Sequence, residues 1–276
     1  MQVSMEEFYS QADYTERFQS AFGVDPGRRA KRYRNALDQF HKSLPTLFTE
    51  AIGGAYCDYH ENIARRLNVE DSIISFNYDC IIDTALMSHA GNRWSPSRNG
   101  YAYPTTGDTV AWESKTVSSR ARGIEGSITL LKPHGSLNWR IGGNRLKLEE
   151  NPYSISSSRD RIVPPTWFKD QHPEPYASIW KECRRQVRAS RAIIVIGYSV
   201  PTTDLFSRAL FRREAGSKEK RQKLDFLVLA NPDRSARQRF VEIVAGGIEP
   251  TTKILEYDSF QEIAASFGAR ITQPDS

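Results

Sequence analysis

The chain has 276 residues, 39% of them hydrophobic and 26% charged, with a formal net charge of +5. A chain of this length can bury a sizeable core, as one α/β domain or as one domain carrying a substantial insertion. No apolar stretch approaches the ~20 residues of a membrane-crossing helix, and the acidic, amphipathic opening MQVSMEEFYSQADYTERF does not read as a secretory leader. A soluble, cytoplasmic protein is therefore expected.

In chain order, residues 4–22 place Met5, Phe8, Tyr9, Ala12, Phe18, Ala21 and Phe22 at helical spacing, ended by Gly23 and the turn Asp25–Pro26–Gly27. Residues 28–51 repeat the pattern through Tyr33, Leu37, Phe40, Leu44, Leu47 and Phe48, and Pro45 is expected to kink or divide that helix. A third helix over Ala55–Leu67 follows, so residues 1–54 form a helical N-terminal segment. Strand and helix then alternate: strand 72–76, helix 80–90, strand 127–132, helix 176–190, strand 192–197, helix 203–215, strand 225–230, helix 234–245, strand 253–257 and helix 259–267. Residues 91–126 and 140–175 read as irregular insertions, the second with a hairpin around Gly142–Gly143–Asn144. Trp94, Trp112, Trp139 and Trp167, scattered through these regions, suit either a lid or a subunit contact. The alternation predicts an α/β fold, a doubly wound parallel sheet within a single domain spanning 1–276.

Cys57, Cys80 and Cys183 are too few and too far apart for a four-cysteine zinc site, and read as three unconnected thiols. No metal is expected. The positive charge gathers in RRAKRYR (28–34), RRQVRASR (184–191) and SKEKRQK (217–223). Such runs are ordinarily solvated helix faces. Nucleic-acid binding is a weakly supported alternative, since no helix-turn-helix, zinc-finger or aromatic RNA-binding signature accompanies them.

Four apolar runs stop abruptly at small polar clusters: Asn77–Tyr78–Asp79, His134–Gly135–Ser136, Gly197–Tyr198–Ser199 and Asn231–Pro232–Asp233. In open parallel sheets, ligands bind outside the carboxyl ends of the strands. Each cluster also has an ordinary structural reading. Asn77 can satisfy a turn, Asp79 can cap the helix near Cys80, and Thr203 or Asp204 can cap the helix after Ser199. Gly135 allows a backbone or a ligand to approach closely. The chemical reading makes His134 a general base, Asn77 the holder of a water or a sugar hydroxyl, and Asp79 a ribose partner. Gly197 and Ser199 would bind phosphate or ribose, and Asn231 a ribose.

Taken in order, SFNYD (75–79), LKPHGSLNW (131–139), IGYSVPTTD (196–204) and LANPD (229–233) resemble the motifs of the sirtuin superfamily. The match is to its bacterial sirtuin-like branch of NAD-consuming effectors in phage defence, and covers roughly residues 55–268. The resemblance implies a Rossmann-like doubly wound sheet and NAD as substrate. Asn77 would position the nicotinamide ribose and the attacking water, with Asp79 supporting that pocket and His134 acting as base on the ribose hydroxyls. Gly197 and Ser199 would lie near the phosphates, and Asn231 near the adenosine ribose.

Two departures from the family bear on function. The zinc ribbon of deacetylating members cannot be built, which argues against deacylation. No Gly-rich loop of the form GAGxS precedes Asn77, so the chain is expected either to begin late, at an internal methionine, or to have lost that element. The resulting expectation is an NAD glycohydrolase, an antiviral effector yielding nicotinamide and ADP-ribose, acting as a homo-oligomer or with a defence-system partner. The alternatives are an NAD- or ADP-ribose-binding sensor or assembly subunit, and an NAD-dependent protein deacylase.

Overall fold

The computed structural model describes residues 27–52, 57–106, 109–112, 115–118, 127–142, 145–149, 152, 155–158, 161–163, 174–201, 204–212 and 223–266. The helix expected over 4–22 lies outside these residues, as do Thr203 and Trp167 and the end of the helix expected over 203–215. The chain divides into two compact units, residues 1–180 and 181–276.

In the first unit, helix α1 (Gly27–Ile52) runs unbroken through Pro45. The expected division does not occur, and the reason lies far along the chain. Proline has no N–H to donate to the carbonyl four residues back, so the His41 carbonyl is released from the helix ladder. Ser158 takes it up, donating its backbone N–H at 2.9 Å and its hydroxyl at 3.1 Å. The α1 side chains Leu44, Phe40 and Phe48 pack against Tyr78, Cys80, Leu137, Ile155 and Ile162. Leu47, expected on the same face, is instead exposed.

Helix α2 (Asp58–Arg66) carries Asp58 and Glu61 in its first turn and Arg65 and Arg66 in its last, the arrangement a helix dipole favours. The Arg93 guanidinium closes its far end, donating to the carbonyls of Ala64, Arg65 and Leu67. Strand β1 (Ser72–Ile74) leads into α3 (Ile81–His89). Next come two short 3-10 turns, β2 (Thr105–Thr106) and the hairpin of β3 (Thr109–Trp112) with β4 (Lys115–Ser118). Strand β5 (Thr129–Leu131) pairs parallel with β1, Ile74 opposite Leu131. The pairing extends one bond further, from Ser75 N–H to the Leu131 carbonyl at 2.8 Å.

The expected hairpin forms from β6 (Trp139–Gly142) and β7 (Arg145–Leu148). Strand β2 joins β7 in parallel, giving one small sheet in the order β2-β7-β6. The two segments read as irregular insertions are thus tied together by a strand two residues long, too short for any periodicity to reveal. Trp94 and Trp139 are fully buried, each edge-on to the Tyr101 ring at 5.4 and 5.3 Å. They build core rather than a lid or a subunit contact.

Helix α4 (Tyr176–Ala189) ends in the second unit, which is an alternation of strand and helix: β8 (Ala192–Ile196), α5 (Leu205–Phe211), β9 (Phe226–Ala230), α6 (Arg234–Val244), β10 (Lys253–Tyr257) and α7 (Phe260–Ser266). The strands form a parallel sheet in the order β10-β9-β8, in unbroken five-residue register on both sides of β9. FLVLA is apolar throughout because it is the central strand, covered on both faces. Asp204 caps α5, accepting the Ser207 N–H at 3.1 Å, and Asp233 caps α6, accepting that of Ser235 at 2.9 Å. The protein is an α/β protein with parallel sheets. No helix among the described residues is long and apolar enough to cross a membrane.

Candidate functional site

The register of β1 and β5 fixes the first cluster. Ile74 lies opposite Leu131, and Asn77 and His134 are each the third residue beyond those partners. Parallel neighbours therefore send two loops off the same carboxyl end, with Asn77 and His134 at equivalent places in them. The His134 side chain is buried. Its ring packs against Phe76 at 5.2 Å and Tyr78 at 6.3 Å, the residues flanking Asn77, and against Trp180 at 5.9 Å. Asn77 itself is exposed. An exposed asparagine thus lies, along the chain, between two residues whose rings pack on the imidazole.

Backbone contacts hold the His134 loop rigidly. The Val163 N–H donates to the His134 carbonyl at 2.7 Å, and the Ser136 N–H to that of Arg161 at 3.1 Å. Gly135 has φ +86°, and a Cβ there would lie 2.2 Å from the Arg161 carbonyl oxygen. The close approach that this glycine permits is therefore made by backbone. Asp79 precedes the N-cap of α3, which is Cys80, and steadies the helix start through its Oδ1, which accepts the Ile81 N–H at 3.0 Å.

Beneath these loops is a polar network that sequence reading missed. Lys132 and Asp83 are both fully buried and paired at 3.0 Å. The Lys132 Nζ also donates to the Ser136 hydroxyl at 2.6 Å and to the Asp79 carbonyl, so all three ammonium donors are used. On its other oxygen Asp83 accepts the Tyr101 hydroxyl proton at 2.5 Å, and Asn138 Nδ2 donates to the Tyr101 oxygen at 3.2 Å. Burial alone would lower the Lys132 pKa, but Asp83, with Cys80 and Asp79, outweighs it and the value is raised. Burial, with Asp83 beside it, pushes the Tyr101 phenol well above its usual range. The ammonium is charged and the phenol neutral at physiological pH. The Lys in LKPHGSLNW was the available signal, a cation directly behind a buried apolar strand.

His60, on α2, was also missed. Burial lowers its pKa, and the nearby Asp79 carboxylate offsets this only in part.

In the second unit, Gly197, Ser199 and Asn231 follow adjacent parallel strands. The Gly197 N–H donates to the Ala230 carbonyl at 2.8 Å. Its φ is +67°, and a Cβ there would meet nothing within 4 Å, so open space lies over the turn. Ser199 is exposed, and its carbonyl accepts from Arg239 Nη2 at 2.9 Å. The Asn231 N–H donates to the Tyr257 carbonyl at 3.1 Å, while its side-chain oxygen accepts the Asp233 N–H at 2.9 Å. No group of three His, Cys, Asp or Glu residues suited to a metal ion occurs among the described residues. All three cysteines are free thiols.

A family model described as SIR2-like domain matches residues 71–250, well over half of the chain, and takes in all six candidate residues. The chain belongs to the SIR2-like family. The match opens immediately before β1 and closes just before β10, so helices α1 and α2 lie outside it. SIR2-like domains are as a family NAD-dependent, which makes NAD the ligand against which both clusters are to be judged. The residues are of the right kind: an open glycine turn and an exposed serine after one strand, and a buried histidine and an exposed asparagine at equivalent places after two paired strands. No curated protein matches the chain.

Proposed function

We propose that this SIR2-like domain is an NAD glycohydrolase, cleaving the bond between nicotinamide and ribose with water to give nicotinamide, ADP-ribose and a proton. The observation that carries the reading is the juxtaposition at the ends of β1 and β5. A histidine packed against aromatic rings and an exposed asparagine stand at equivalent positions beyond paired parallel strands, the rings coming from the residues that flank the asparagine.

In this reading the Asn77 amide orients the nicotinamide ribose and the attacking water. His134 accepts a proton from the ribose hydroxyls, and the aromatic wall excludes other water. Asp79 contributes by holding the start of α3 and hence the loop that presents Asn77. Gly197 and Ser199 serve the phosphates, and Asn231 the adenosine ribose. We further propose, from the resemblance of the motifs to the bacterial defence branch, that NAD depletion is the biological output.

The test is nicotinamide release from NAD by the purified protein. Turnover is expected without any acylated peptide. His134→Ala and Asn77→Ala are each expected to lower it by about 10²-fold or more, with the near-UV circular dichroism of the folded protein retained. Full activity in the double variant refutes the assignment. Calorimetric binding of NAD without cleavage makes the protein a sensor, and release only in the presence of an acylated peptide makes it a deacylase.

A further inference from the structure

We propose that Lys132 is a positioning residue, whose buried ammonium locks the loop bearing Asn77 to the loop bearing His134. This rests on the functional reading above for its consequence in catalysis, but not for its geometry. A fully buried lysine is rare. Burying an ion pair is so unfavourable that well-packed apolar residues of similar volume often serve stability as well or better. The pair is thus poorly explained as a stabiliser of the core.

Its contacts point to another use. The three acceptors of Lys132 are the carbonyl of Asp79, two residues after Asn77, the hydroxyl of Ser136, two residues after His134, and the carboxylate of Asp83 in the first turn of α3. Asp83 is itself fixed through Tyr101 to the side chain of Asn138. The hydrogen bonds therefore close a ring from Ser136 through Lys132, Asp83 and Tyr101 to Asn138, gripping the segment after His134 at two points. The same ammonium holds the segment after Asn77. Backbone pairing of β1 with β5 ends at the Ser75 N–H, before either candidate residue, and a single further backbone bond between the loops runs from the Leu137 N–H to the Tyr78 carbonyl at 3.0 Å. Beyond that point Lys132 is a direct side-chain tie between the two loops.

Lys132→Met alone leaves Asp83 charged and unpaired in the interior and is expected to fold poorly. The informative protein is the double variant Lys132→Met/Asp83→Asn, which removes both charges and keeps an acceptor for Tyr101. Two readouts apply. One is nicotinamide release, separated into kcat and KM. The other is the ring carbon–proton resonances of His134, assigned by comparison with His134→Ala, with those of His89, in the last turn of α3, as an internal reference.

The expectation is a folded protein with a Tm near that of the parent. Its kcat should be reduced on the order of 10²-fold, as misplacement of a reacting group by about 1 Å produces, with KM little changed. The His134 resonances should move while those of His89 stay in place. A folded double variant with parental kcat and unmoved His134 resonances overturns the proposal. If the double variant does not fold, Ser136→Ala, which removes one acceptor and leaves the ion pair intact, is read in the same way. If the parent protein releases no nicotinamide, it is the hydrolase reading that fails, and the His134 resonances alone decide whether Lys132 positions the loop.

Discussion

Two glycines at strand ends share one backbone conformation and differ in surroundings, which makes them a controlled pair. Gly135 has φ +86° and Gly197 has φ +67°. An alanine at either position is placed in the left-handed region at about 1–2 kcal/mol, partly offset by the ~0.4–1 kcal/mol gained from a less flexible unfolded chain. For Gly197→Ala nothing else enters, since the new Cβ meets no atom within 4 Å. The net loss is about 1 kcal/mol.

For Gly135→Ala the Cβ would lie 2.2 Å from the Arg161 carbonyl oxygen and 2.9 Å from the Ile162 Cα. That oxygen cannot retreat freely. It accepts from the Ser136 N–H at 3.1 Å and from the Tyr176 hydroxyl at 3.0 Å. The Arg161 side chain is fastened to the Leu137 and Trp139 carbonyls and to Glu149. Overpacking against such a fixed neighbour adds about 1–3 kcal/mol, so the total is about 2–4 kcal/mol.

Urea unfolding followed by far-UV circular dichroism, which samples both units, measures the two losses. Equal destabilisation of the two variants, within about 0.5 kcal/mol, the size of an ordinary surface substitution, would refute the claim that backbone contact fixes the His134 loop.

Trp139→Ala is expected to lose about 3–5 kcal/mol, because the ring is fully buried against Tyr101; a loss under ~1 kcal/mol contradicts a core role. In the native protein a thiol reagent is expected to label Cys57 readily and the other two cysteines only on unfolding. Cys80 and Cys183 are buried, and burial pushes the Cys80 thiol up to about 12 and raises that of Cys183 as well. Rapid labelling of three thiols in the folded protein rejects this burial. His60 has its folded pKa lowered from 6.5 by burial. Between the lowered value and 6.5 the unfolded chain therefore binds more protons than the folded one, and stability falls as pH drops through that window. His60→Gln is expected to flatten this limb by up to about 1.4 kcal/mol per pH unit, and an unchanged slope of stability against pH removes the argument.

Two strands of the second unit were legible because FLVLA and AIIVI are apolar without interruption, although only the central FLVLA is buried along nearly its whole length, and because a turn residue, Asn231 or Gly197, follows each. The same logic located Asn77 and His134 at the ends of the first unit's parallel pair. Pro45 shows where such reading stops. Local chemistry predicts a broken helix, and the helix survives because Ser158, 117 residues after His41, accommodates the carbonyl that proline leaves unpaired. No window along the chain contains both halves of that exchange.

Lys132 is a middle case. Its place was visible, directly after Leu130–Leu131 and before Pro133–His134, where a strand running into the interior leaves no water for an ammonium. A cation in such a position requires a buried counter-charge and two further acceptors. What the chain could not reveal is that Asp83, 49 residues earlier, supplies the charge while the two acceptors belong to the loops that carry Asn77 and His134. The requirement was local and its fulfilment tertiary. A charged residue at the mouth of an apolar strand is for that reason best read as a demand for partners that the fold must bring to it.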